Sequence, residues 1–240
     1  MRLDKMLANS GLGTRSEVRA LIAGGAVSVN GVIARKGDLQ VTENDEVICN
    51  GKPVSKDEHL YFLLDKPDEV LTAMEDPRLH HVGEFIPDNL RGRKLSPVGR
   101  LDYHTTGLLI ITNDGTLSHR LQSPKYKIKK IYLVNYDGPA WTGAEIEDVA
   151  AGVTLTDMDQ PVKLSPSEVR PAEDGKAYIT LTEGKTHEVR RIFAKFGKDV
   201  TALRRITLGN ISIKEGTADC GALRELTKDE AEGLKRLTGL

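Results

Sequence analysis

The sequence predicts an α+β protein in two parts, a small helix-and-hairpin domain followed by a larger domain of strands flanked by helices. Three observations carry this reading. Two short helical patterns, the second opened by a capping box, and an Asn-Gly turn crowd into the first 54 residues. Beyond residue 60, short runs rich in branched and aromatic side chains recur at 61–64, 108–112, 131–134, 178–181 and 200–213, each bounded by turn residues, and helices separate only some of them. With 240 residues the chain is long enough for one sizeable core and a small accessory domain.

Taken in order, Leu3, Met6 and Leu7 have helical spacing, and Gly11 and Gly13 end that helix. Thr14 with Glu17 makes a capping box for a second helix carrying Val18, Leu21 and Ile22, which stops at Gly24 and Gly25. Val27 and Val29 alternate into Asn30-Gly31, a strong hairpin signal. The division follows as a first domain over 1–54, a linker over 55–59 within the polar, proline-marked stretch 53–59, and a second domain over 60–240. Residues 61–64 form a strand running into Asp65-Lys66-Pro67, and 74–95 are irregular. His80 and His81 lie there, but adjacent positions on extended chain point apart and no third ligand is at hand, so a solvated loop is expected and no metal site.

Residues 99–107 read as a loop too polar, and too rich in Gly and Thr, to pack in a core. A buried strand over 108–112 follows, closed by Asn113-Asp114-Gly115. A short helix over 116–122 leads through a basic loop into a strand over 131–134, and residues 141–151 form an acidic amphipathic helix. Strand and loop are expected over 153–164. After the strand at 178–181, Val189, Ile192, Phe193 and Phe196 have helix spacing, and Gly197 ends that helix. Two strands surround Gly209. Thr227 with Glu230 caps a C-terminal helix.

Lys and Arg number 34 against 35 Asp and Glu, a net charge of −1 that by itself argues against a nucleic-acid partner. The charges are segregated, however. Residues 115–136 hold Arg120, Lys125, Lys127, Lys129 and Lys130 and no acid, while 137–162 hold six acids and no base. One basic face on a near-neutral protein is thus permitted. Cys49 and Cys220 are far apart and outside any C-x-x-C spacing, so ordinary thiols are expected. No apolar run approaches the roughly 20 residues of a membrane span, and a cytoplasmic protein is expected.

The stretch GRLDYHTTGLLIITNDG, residues 99–115, closely resembles the signature of RNA pseudouridine synthases, specifically the RsuA group, which isomerises a uridine of small-subunit ribosomal RNA. That resemblance implies a catalytic domain on a mixed, mainly antiparallel sheet flanked by helices, with Asp102 as the catalytic nucleophile. A loop aspartate would otherwise be read as a turn or capping residue. By the same likeness the basic loop and strand that follow resemble the second motif of the family, with Tyr132 packing on the target base. EGKTHEVRRIF, residues 183–193, resembles the third, with Arg190 pairing with the nucleophile and Arg191 binding phosphate. The pairing would favour the charged form of an aspartate that burial disfavours.

The resemblance further implies substrate contacts from Arg100 as a wedge, from Leu203 as a pocket wall, and from Lys66 of the lysine-proline signature, whose part is expected to be more structural than chemical. The first 36 residues resemble the alpha-L RNA-binding domain of the S-four type. There Arg2, Lys5, Arg15, Ser16, Arg19, Arg35 and Lys36, joined by Lys125, Lys127 and Lys129 of the second domain, are expected to meet RNA phosphates. The implied partner is 16S ribosomal RNA, free or in an assembling small subunit, with a monomeric enzyme and no cofactor. Attack on the sugar and glycal formation both remain open as mechanisms. Competing readings are a synthase for large-subunit RNA, a non-catalytic assembly factor of the same fold, and a glycoside hydrolase; the last lacks a paired carboxylate and an aromatic sugar platform.

Overall fold

A computed structural model describes residues 1–10, 12–42, 44–54, 59–156, 160–173, 175–216 and 219–240. The expected linker therefore lies, except for His59, outside the described residues. The chain falls into two compact units: Met1–Leu60 together with Ile86–Leu95, and Tyr61–Phe85 together with Ser96–Leu240. By packing, Ile86–Leu95 thus groups with the first unit rather than within the 60–240 span expected from sequence.

In the first unit, helices α1 (Leu3–Asn9) and α2 (Arg15–Ala23) precede strands β1 (Val27–Val29), β2 (Val32–Ile33), β3 (Val47–Cys49) and β4 (Lys52–Pro53). The strands form one antiparallel sheet in the order β2-β1-β3-β4. The capping box of α2 is complete, with the Thr14 hydroxyl accepting from Glu17 N–H and the Glu17 carboxylate accepting from Thr14 N–H. Asn30 and Gly31 both take positive φ, as the two-residue hairpin requires. Pro53 belongs to the sheet, and Val54 packs on the core of Leu3, Leu7, Val18, Ile22 and Val27.

The second unit is built on one sheet. Its strands are β5 (Tyr61–Lys66), β6 (Ser96–Pro97), β7 (Thr105–Thr112), β8 (Lys130–Asp137), the separate hairpin β9 (Thr154–Leu155) and β10 (Val162–Lys163), then β11 (Glu168–Ala172), β12 (Lys176–Leu181), β13 (Asp199–Leu208), β14 (Ile211–Ser212) and β15 (Leu223–Glu225). The order is β11-β12-β8-β13-β7-β5-β15, with β14 on β13 and β6 on β7. Every pairing is antiparallel except β13 with β7 at the centre. Helices α3 (Gly115–Gln122), α4 (Gly143–Ala151), α5 (Glu188–Lys195) and α6 (Lys228–Thr238) complete the unit. Leu108, Ile110, Leu117, Leu121, Leu208 and Leu234 form the core between the sheet, α3 and α6. The stretch 74–95 holds two 3-10 turns, and His80 and His81 both face Glu84. No helix among the described residues is long and apolar enough to cross a membrane.

One expectation fails at the centre. Thr105, Thr106 and Gly107 are the first residues of β7 rather than a polar loop, and Thr105 is 2% exposed. The parallel pairing with β13 absorbs their backbone groups, so polarity did not keep them out of the interior. Gly107 has φ +99, and a Cβ there would lie 2.3 Å from the Arg205 carbonyl, so no side chain fits.

Candidate active site

Three strand positions converge where β7, β13 and β8 adjoin. Thr105 stands opposite Leu203, and Arg205 of β13 stands opposite both Gly107 and Tyr132 of β8. Side chains two apart on a strand share a face. Lys130 and Tyr132 with Leu203 and Arg205 accordingly line a cavity of about 480 Å³ on one face, closed by Thr105, Leu121 and the segment 184–189. Leu133 and Asn135 with Ala202 and Arg204 line a second cavity of about 670 Å³. Both volumes suit a small-molecule-sized group such as a single base. Asp102, His187 and Leu203 border both cavities.

Asp102 sits on the turn that enters β7, where Thr105 N–H donates to its carbonyl oxygen at 3.0 Å. Its side chain is 41% exposed, so it faces water rather than a desolvated interior. Among the described residues the side chain that comes within ion-pairing distance of it is His187, with Nε2 3.7 Å from Asp102 Oδ1. His187 caps α5 in the left-handed region (φ +50), a conformation few residues other than glycine adopt and one that concentrates at functional sites. The sequence assigned His187 no role.

Arg190 does not pair with Asp102. Its guanidinium donates to the Val200 carbonyl at 2.8 Å and to the His104 carbonyl at 3.5 Å, which ties α5 to β13 and to the turn carrying Asp102. It is the third residue of the helix, and the backbone carbonyls of the two neighbouring elements intercept its reach. Arg190 lines only the second cavity, and Arg191 lines neither.

Lys66 occupies a place different from a substrate contact. It is 0% exposed, and its ammonium donates to the carbonyls of Pro67 (3.0 Å), Tyr103 (3.1 Å) and Thr105 (3.0 Å). Burial, partly opposed by Asp68 and Asp102, lowers its pKa to about 8. It is a buried clamp on the turn that presents Asp102. Asp65, its neighbour, is paired bidentately with Arg204, Nη1 to Oδ1 at 2.8 Å and Nη2 to Oδ2 at 2.6 Å. Both charged members of the Asp65-Lys66-Pro67 signature thus fix the strands under the site.

Of the other expected contacts, Tyr132 is 9% exposed and lines the first cavity together with Leu203 and the exposed Arg100. Sequence reasoning missed Thr105, Glu188, Lys130 and Arg205, all of which line it too. Lys130 follows the basic run but was read as part of a charged face; burial lowers its pKa, and Arg205 adds to that. Burial raises the Glu188 pKa.

In the first unit Lys5, Arg15, Ser16, Arg35 and Lys36 are exposed. Arg2 and Arg19 are half tied up, each paired with the fully buried Asp4 at 2.9 and 2.8 Å, and hold its carboxyl below the usual range. Arg35 donates to the Ala23 carbonyl. Lys125, Lys127 and Lys129 are exposed on the loop before β8.

Residues 60–195 match the family model described as RNA pseudouridylate synthase, and residues 1–47 match that of the S4 domain. The chain is 36% identical to ribosomal small subunit pseudouridine synthase A of Haemophilus influenzae, over 98% of this chain and 99% of that one. It is 32% identical to ribosomal large subunit pseudouridine synthase B of Bacillus subtilis, over 98% and 96%. A crystal structure of a pseudouridylate synthase, 33% identical, covers 98% of this chain and 99% of its own with a TM-score of 0.67. These full-length matches join a catalytic fold and an S4 domain in one order, and the chain belongs to the RsuA family of RNA pseudouridine synthases.

Proposed function

We propose that the chain isomerises one uridine of 16S ribosomal RNA to pseudouridine, with Asp102 acting at the glycosidic carbon. The observation that carries this reading is the position of Asp102: an accessible carboxylate at the border of a base-sized cavity whose wall includes Tyr132. A nucleotide drawn out of its stack places its base in that cavity and its ribose at the carboxylate, at an unstacking cost of a few kcal/mol. Packing of the base on Tyr132 returns about 1–3 kcal/mol. The N1–C1′ bond then breaks while Asp102 either bonds to C1′ or takes the C2′ proton to leave a glycal. The uracil turns and C5 bonds to C1′, as the Asp102–C1′ bond breaks on the first route or as Asp102 returns the proton to C2′ on the second. The C5 proton then leaves to solvent while N1 takes one up, so that the product is an isomer of the substrate. Leu203 walls the base, Arg100 fills the vacated stack, and Arg190 and Lys66 keep the Asp102 turn in place.

The assignment to small-subunit RNA rests on the likeness to the small-subunit synthase, supported by the Thr105-Thr106 pair and the basic loop after Ser123-Pro124. Residues 1–54 serve as the RNA-holding domain, joined through 55–59 to a catalytic domain over 60–240. Its exposed cations Lys5, Arg15 and Lys36, with Lys125, Lys127 and Lys129, supply phosphate contacts that set affinity rather than sequence. We place the enzyme in the cytoplasm as a monomer.

The test maps pseudouridine by carbodiimide-adduct primer extension along 16S RNA from cells lacking the gene, complemented with wild type or Asp102→Asn. One stop lost in the deletion, restored by wild type and absent with the variant is the expected result. An unchanged 16S pattern overturns the substrate assignment. A stop found instead in large-subunit RNA assigns the alternative that the 32% identity to the large-subunit synthase favours.

A further inference from the structure

Buried polar atoms nearly always find partners, so those that do not call for an explanation. Among the described residues, Thr105 Oγ1, Glu188 Oε1 and Arg205 Nη2 are buried side-chain atoms without a hydrogen-bond partner. Their residues are only 2%, 3% and 3% exposed, and all three line the first cavity. Each is held from behind by its remaining groups. Thr105 N–H donates to the Asp102 carbonyl and its own carbonyl accepts from Lys66. Glu188 Oε2 accepts from Lys185 N–H at 2.7 Å. Arg205 Nε donates to the Leu108 carbonyl at 2.8 Å. Groups held in this way, on residues that wall a base-sized cavity and each with a buried polar atom left unpartnered, constitute a preorganised hydrogen-bonding set.

We propose that Thr105, Glu188 and Arg205 form the base-reading floor of this cavity, Glu188 Oε1 accepting the N3–H of the target uracil while Thr105 Oγ1 and Arg205 Nη2 donate to its two carbonyl oxygens. The proposal rests on uridine isomerisation as the function of the site. The match is one of chemistry: uracil presents acceptor, donor, acceptor along O2, N3 and O4, and the floor presents donor, acceptor, donor. Cytosine presents an acceptor at N3 and a donor at N4, and would leave Glu188 facing a lone pair. Such a mismatch among buried groups rejects the wrong base strongly.

The same set accounts for how a detached base can turn without being released. Rotation by half a turn about the axis through N3 and C6 exchanges N1 with C5 and O2 with O4. Its hydrogen-bonding edge is unchanged by that operation. A donor–acceptor–donor floor therefore grips the ring equally well when N1 faces the ribose and when C5 does. Arg205, with Lys130 beside it, also offers positive charge to a uracil that leaves with the electron pair of the broken N1–C1′ bond.

The test uses the full-length protein, with ribosomal RNA in which the wild-type site has been mapped, and the variants Thr105→Val and Glu188→Gln. Valine keeps the shape of threonine and removes the donor. Glutamine keeps an oxygen for Lys185 N–H and turns an amide N–H toward N3–H. Both variants are expected to lose at least tenfold in kcat/KM, with RNA affinity within twofold of wild type and with Tm not below it. A second arm places 2-thiouridine or 4-thiouridine at the target, since sulfur is a poor acceptor. Either analogue slows wild type, and the penalty shrinks in Thr105→Val, which has already lost that contact. Variants within twofold of wild type, or thio penalties equal in wild type and Thr105→Val, overturn the base-reading floor while leaving the isomerase standing. Wild type that converts no uridine in any ribosomal RNA overturns the function itself, and the floor with it.

Discussion

Lys66→Met removes the clamp under the Asp102 turn without touching the cavity, and its consequences follow from three hydrogen bonds and one pKa. The ammonium donates to the Pro67, Tyr103 and Thr105 carbonyls from a fully buried position. At about 1.5–3 kcal/mol for a bond to a charged group, their loss costs about 5–9 kcal/mol gross. Against this stands the desolvation already borne by the ammonium. A fall of its pKa from 10.5 to about 8 corresponds to ~3 kcal/mol against the charged form. The net expected loss is about 2–6 kcal/mol, in the range of other disrupted buried charges, and lowers Tm by about 4–24 °C. Urea and thermal unfolding measure it.

The pH dependence separates this account from simple loss of packing. A lysine whose folded-state pKa lies below its unfolded value is protonated in both states below pH 8. Between about pH 8 and 10.5 the unfolded chain holds the extra proton, so wild-type stability gains from this group as pH rises. Lys66→Met abolishes that gain. Because Tyr103 and Thr105 flank Asp102 on its turn, kcat for pseudouridine formation should also fall about 100-fold, the cost of displacing a reacting group by about 1 Å, with RNA affinity unchanged. A stable Lys66→Met protein with wild-type kcat, or with the wild-type alkaline rise in stability, refutes the reasoning.

Arg190→Ala unties α5 from the His104 and Val200 carbonyls, so kcat should drop at least tenfold while RNA affinity, read by filter binding, stays within twofold. Asp65→Asn strands the buried Arg204 guanidinium and is expected to destabilise the second unit by about 3–5 kcal/mol in urea unfolding; a loss under 1 kcal/mol contradicts the burial of that pair. Thr14→Ala removes one half of the α2 capping box and should cost the first unit about 1 kcal/mol by thermal melting, with pseudouridine formation at saturating RNA unchanged.

What could be read from sequence was local. Capping boxes at Thr14-Glu17 and Thr227-Glu230, the Asn30-Gly31 turn and the apolar run ending at Asn113-Asp114-Gly115 are decided by neighbours in the chain, and each stands where it was expected. The family signature likewise singled out Asp102 because its residues are contiguous. Strands β11 and β15 were missed, since Glu168–Ala172 carries Pro171 at the sheet edge and Leu223–Glu225 is three residues long. Neither has a period of its own to detect.

The site was decided by tertiary structure wherever partners are distant in sequence. Lys66 finds Tyr103 and Thr105, Asp65 finds Arg204, and His187 rather than Arg190 comes to Asp102. Thr105, Glu188 and Arg205 reach one cavity only because β7 runs parallel beside β13 and α5 closes over them. A threonine, a glutamate and an arginine carry no mark in sequence that says which will be buried with a free valence. Burial is a property of the packed sheet, and it is burial that turns ordinary polar side chains into a recognition surface.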